Sequence, residues 1–178
     1  MIQQLIVFLS LTMAIGGSEF YPWSAVLEQK VDKAIKSTYQ VEDYSLRSMD
    51  VQGRLTSTLP SEMENSLFEL VEKDQLLGYV YVAQAPSMKN VFDYVVLFEK
   101  DLTVRNAKVL IYREQHGRQI GSRRWLSQFL GMGPEDRPEL GAPIDGISGA
   151  TISVTNMTKA MKDLLASVHT LDEKGLFE

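Results

Sequence analysis

Apolar positions fall into two rhythms along this chain, one helical and one alternating. Leu27, Val31, Ala34, Ile35 and Thr38 share one face of a helix predicted over Ser24 to Tyr39, with Pro22 near its start. Leu67 to Glu72 and Leu76 to Ala85 read as strands on either side of a Lys73-Asp74 turn. The second is rich in aromatic and β-branched residues, with Tyr79, Val80, Tyr81 and Val82 in series. Phe92 to Phe98 and Thr103 to Tyr112 form the clearest hairpin, joined across residues 99–102. Arg123 to Leu130 reads as a short helix, and a loop rich in Gly and Pro runs from Gly131 to Gly146. Val154 to His169 is an amphipathic helix whose stripe is Val154, Met157, Met161, Leu164, Leu165 and Val168. Sequential hairpins with flanking helices predict a single α+β domain around a mainly antiparallel, twisted sheet.

The N-terminal stretch follows neither rhythm. Met1 to Ser18 carries no ionisable side chain, and Leu5 to Ile15 is apolar except at Ser10 and Thr12. This run is shorter than the roughly twenty residues of a membrane span. It has the length of a signal-peptide core, followed by small residues Ala14, Gly16 and Gly17, although no Lys or Arg precedes it. Residues 1–18 are therefore expected to act as a signal peptide or N-terminal anchor. Residues 19–178 then form the folded domain, located outside the cytoplasm, in the periplasm or held on the outer face of the cytoplasmic membrane. The alternative is a buried N-terminal strand or helix.

Composition narrows the chemistry. The 178 residues are 44% hydrophobic and 23% charged, proportions of a globular domain large enough to bury a core unaided. There is no Cys, hence no disulfide and no thiolate chemistry, and the two His, His116 and His169, are far apart in sequence. Eighteen basic against twenty-three acidic residues give a net charge of −5, which argues against nucleic acid as a partner.

One segment stands out: Asp145-Gly146-Ile147-Ser148-Gly149-Ala150-Thr151, between the loop and the last helix. Gly146 and Gly149 permit positive φ, and Ser148 and Ala150 leave room beside the main chain. Ser153 is read as the N-cap of the following helix. Free N–H groups of its first turn would favour an anion beside Thr151. The P-loop reading fails for want of a Lys after the glycines. Gly131-Met132-Gly133-Pro134 lacks the third Gly of a dinucleotide fingerprint.

This segment resembles the flavinylation motif Asp-x-x-(Ser/Thr)-Gly-Ala-(Thr/Ser) of the FMN-binding domain family. The family includes flavin-carrying subunits of sodium-pumping NADH:quinone reductase and of the Rnf electron-transport complex. A second block, Glu114-Gln115-His116-Gly117, then Ile120-Gly121 and Trp125, resembles the family's Glu-Thr-Pro-Gly block and its following Trp. Here Gln115-His116 stands where better-known members have Thr-Pro. The resemblance covers roughly Leu77 to Leu165.

The resemblance implies FMN joined by a phosphoester from its phosphate to the Thr151 hydroxyl, attached by a flavin transferase that takes it from FAD. Ser148, Gly149 and Ala150 would be the immediate setting, and Asp145 the acidic position read by the transferase. Glu114 is open between hydrogen-bonding the flavin ring and being a solvated charge. Gly117 and Gly121 are turn residues that would leave space for the ring. Trp125 is open between core anchor and stacking partner. Arg113, Arg118, Arg123 and Arg124 are either a solvated face or support for flavin charge. His116 is either an exposed loop residue or a proton donor near the ring. The function implied is an extracytoplasmic electron carrier that serves a membrane redox complex or a small carrier. The alternatives are a flavin-dependent reductase of a small acceptor, or a non-redox binding domain.

Overall fold

The structure, a computed structural model, describes residues 23–51 and 59–177. The segment read as a signal peptide or anchor therefore lies outside the described residues, as does Pro22. The elements run α1 (Ala25–Tyr39), β1 (Ser45–Ser48), β2 (Leu67–Glu72), β3 (Gln75–Pro86), β4 (Val91–Phe98), β5 (Val104–Ile111), a 3-10 turn at Arg118–Gly121, α2 (Arg123–Leu126), a second 3-10 turn at Ser127–Phe129, and α3 (Thr151–Glu173). The strands form one sheet in the order β1-β2-β3-β4-β5, every neighbouring pair antiparallel. The expected α+β domain with its antiparallel sheet is what the chain adopts.

Strict alternation explains why both faces of the sheet are covered. On β3 and β4, Tyr79, Tyr81, Phe92, Tyr94, Val96 and Phe98 point to one face and pack with α3. Val80, Val82, Val95 and Leu97 point to the other and pack beneath α1. The predicted stripe of α3 is buried along its whole length, Val154 through Val168, and continues to Leu171. Gly78 is required where the sheet meets α1. A Cβ there would sit 2.1 Å from the Phe98 carbonyl oxygen. That same oxygen accepts the Tyr39 hydroxyl hydrogen bond at 2.6 Å.

The structure corrects several details. The helix predicted over Arg123 to Leu130 is one α-turn followed by a 3-10 turn. The last helix begins at Thr151 and ends at Glu173, longer at both ends than expected. Strand β1, with only Leu46 buried, was too short to show a period. Met49, Val51 and Met63 enter the core from irregular chain that no periodicity marks.

Candidate functional site

Among the described residues beyond β5 there is no further strand, so loops and helix ends build this end of the molecule. The 131–146 loop is tied down at Ile144, which is fully buried. The next residue is gripped by the helix predicted nearby. Trp125 Nε1 donates to the Asp145 carbonyl at 2.7 Å, and the Asp145 N–H donates to Gln128 Oε1 at 2.8 Å. Trp125 is 4% exposed and meets Phe129 edge to face, so its place is the core. It fixes where the motif begins.

From Asp145 the chain reaches α3 through Gly149, whose φ is +79°. Gly146 does not use the positive-φ freedom read into it; the left-handed residue of the segment is Gly149 alone. Ala150 then occupies the cap position of α3, with no side-chain hydrogen bond and no acid in the first turn. Ser153 is therefore not the N-cap. It is buried one turn inside, and its hydroxyl shares a 2.9 Å hydrogen bond with the Tyr112 hydroxyl. Thr151 is the first helical residue and is exposed.

Residues 88–90, 112–117 and 149–153 surround a cleft of about 590 Å³. It unites Glu114, Gly117, Gly149, Ala150 and Thr151 from the two sequence blocks. Asp145, Ser148, Gly121 and Trp125 lie outside its lining. Gly117 is dictated by this assembly: its φ is +80°, and a Cβ would come 2.7 Å from the Tyr112 hydroxyl and 3.5 Å from Ala150. A larger cleft of about 910 Å³ lies between the 60–66 segment, β3 and α3, and contains none of the motif. Its volume is greater, but the helix terminus and the free hydroxyl are in the smaller one.

Glu114 turns out to be a fastening. Its Oε1 accepts from the Ser87 hydroxyl at 2.8 Å, the Lys89 N–H at 2.6 Å and the Asn90 N–H at 2.9 Å. These donors stabilise the carboxylate, whose pKa is pushed down to about 2, the Lys89 amide contributing most. Arg113 is likewise engaged, 2.6 Å from the buried Asp93 carboxylate and donating to the Val91 carbonyl at 3.1 Å. Arg118, Arg123 and Arg124 are exposed outside the cleft lining, and His116 is an exposed part of it.

Reading the sequence missed Met88, Lys89, Asn90, Tyr112 and Ile152 as lining residues. Two of these had a signal. Ile152 stands on the side of α3 away from its apolar stripe, and Met88 is an apolar residue in a polar turn.

The site fits an FMN phosphate and ring. Backbone donors at the α3 start suit an anion, the Cβ-free Gly149 leaves space beside them, and the volume is that of an ordinary cofactor cleft. Comparison with known proteins agrees. Residues 89–166 match the FMN-binding domain family, a span that contains both sequence blocks. No curated protein matches the chain. Among solved structures it is similar to the crystal structure of Shewanella oneidensis NqrC, with 13% identity and a TM-score of 0.57. The match covers 84% of this chain and 98% of that one, which shows a shared fold. Residues 89–166 are therefore similar in sequence to an FMN-binding domain.

Proposed function

We propose that this protein is an electron-transfer flavoprotein carrying FMN covalently on Thr151. The observation that supports it is the exposed Thr151 hydroxyl at the first turn of α3, inside the cleft and within the matched domain. When bound, FMN supplies one- and two-electron redox chemistry. The chain's own part is to hold and orient it. Thr151 offers the ester oxygen, and the N–H groups at the start of α3 face the charge that a phosphodiester keeps. Gly149 and Ala150 keep side chains out of that space, while the Tyr112–Ser153 hydrogen bond fixes the floor beneath.

In this reading a flavin transferase attaches the cofactor. The mature protein works outside the cytoplasm, serving a membrane redox complex or a small electron carrier. A covalent tether suits that location, where free flavin is dilute and a reversible site would empty. The family resemblance and the apolar run before Ser18 support this placement. The test is intact mass of protein co-expressed with a flavin transferase, with denaturing electrophoresis under ultraviolet light. The wild type gains one FMN adduct and fluoresces, whereas Thr151→Ala does neither. A wild-type mass without the adduct under those conditions refutes the proposal.

A further inference from the structure

We infer that Met88 and Ile152 bracket the flavin ring, with Glu114 as the positioning residue that holds Met88 in place. This deepens the proposal above and rests on its covalent attachment at Thr151. Met88 is 69% exposed and Ile152 49%, and both line the cleft, Met88 from the β3–β4 turn and Ile152 from α3. The other large apolar side chains exposed among the described residues, Val26, Val91, Leu130 and Leu140, do not line it.

The turn that bears Met88 is fastened far beyond what a solvent-facing loop requires. Within it, the Ser87 N–H donates to the Asn90 carbonyl at 2.7 Å, and the Ser87 hydroxyl, whose single proton is shared with Glu114 Oε1, lies 3.0 Å from the same carbonyl. From β5's end, Glu114 collects the three donors described above, and Arg113 holds the Val91 carbonyl. From α3, Asn156 Nδ2 donates to the Pro86 carbonyl at 2.9 Å. Ordering a turn costs conformational entropy, and these bonds concentrate it where an unburied methionine points outward. Such an arrangement is consistent with a wall preformed for an apolar, aromatic occupant.

The side-chain types suit a flavin. A thioether is polarizable and packs favourably against an aromatic ring. A β-branched isoleucine on a helix has few rotamers and presents a fixed surface. Ile152 directly follows the attachment residue, so a ring tethered at Thr151 starts beside it. Met88 limits how far the ring can swing away. Between them the cleft is lined by polar residues, among them Asn90, Glu114 and His116.

The test uses full-length protein co-expressed with a flavin transferase and shown to be loaded by intact mass. Hydrogen peroxide oxidation of Met88, followed by peptide mass, should be several-fold slower in loaded wild type than in Thr151→Ala. Iodide quenching of the flavin fluorescence should increase in Met88→Ala and in Ile152→Ala, and return towards wild type in Met88→Leu. Glu114→Gln should raise quenching as Met88→Ala does, and should speed amide exchange at Lys89 and Asn90. Equal Met88 oxidation in loaded and unloaded protein, with quenching unchanged in Met88→Ala, overturns the inference and leaves the attachment intact. A wild type that gains no adduct overturns both.

Discussion

Helix α1 starts with Ser24 in extended backbone, φ −65° and ψ 151°, its hydroxyl accepting the Leu27 N–H at 3.3 Å. Glu28 adds an acid to its first turn. Helix α3 starts with Ala150 at φ −130° and ψ 19°, with neither a side-chain acceptor nor an acid. The same unsatisfied donors exist at both ends by geometry. At α1 the chain supplies the acceptor and the partial negative charge itself. At α3 it supplies instead a left-handed glycine, a small residue and an exposed threonine. One start completes the fold; the other leaves room for something that is not protein.

The largest effect that sharpens this contrast is chemical. Thr151→Ala should abolish the FMN adduct, yet change the stability of unloaded protein by no more than about 0.5 kcal/mol, as surface substitutions usually do. Thr151→Ser should keep the adduct, since it keeps a hydroxyl at the same place. Intact mass and thermal unfolding of each variant check both statements. A marked loss of stability in Thr151→Ala would make Thr151 a structural residue and erase the contrast.

Gly149→Ala tests the route into the open end. No atom lies within 4 Å of the added Cβ, so the cost is confined to backbone at φ +79°. Placing a residue with a Cβ in the left-handed region should destabilise the protein by ~1–2 kcal/mol. Denaturant unfolding measures it. The loss should be accompanied by weaker flavin loading, because relaxing the strain moves Ala150 and Thr151 relative to the cleft. Unchanged stability would mean that this turn adopts another conformation freely.

Ser24→Ala tests the closed end. It should cost ~1 kcal/mol, the usual worth of a serine cap. In a domain of this size that lowers Tm by about 2–4 °C. Flavin loading should be unaffected, since α1 packs on the sheet face opposite α3.

What could be read from the sequence follows the same division. The strands β3 and β4 and the buried stripe of α3 were legible because burial imposes a period on residue type. Thr151 as attachment candidate came from the resemblance of residues 145–151 to a family motif; residue spacing alone would have left it an ordinary helix-start threonine. The start of α3 was misjudged because capping rules look for a side-chain oxygen, and here the backbone of Gly149 makes the bend without one. Ser153 looked like that oxygen but points inward to Tyr112. Trp125 could be seen as an aromatic anchor or a stacking partner, and its burial, its contact with Phe129 and its bond to the Asp145 carbonyl distinguish them. Glu114's partners lie 24 to 27 residues away across a turn, a relation no local pattern carries.

The smallest effect concerns acid, and it also separates the two ends. The three donors on Glu114 push its pKa down to about 2 from an ordinary 4.5. The ionised form is thus the one the folded turn prefers, and its contribution is fully present above about pH 4.5. That contribution is lost progressively as pH falls from 4.5 through about 2, where the carboxyl protonates and Oε1 becomes a weaker acceptor. Ser24 does not titrate, so the Leu27 N–H keeps its acceptor over the same range. In an NMR titration from neutral pH downwards, the Lys89 and Asn90 amides should hold their shifts through pH 4.5 and move only towards about pH 2. The Leu27 amide should show no step from its own acceptor. If the Lys89 and Asn90 amides moved with a midpoint near 4.5, the turn would not be held by Glu114. The wall bearing Met88 would then need another anchor, and the cofactor end would be no more organised by charge than the start of α1.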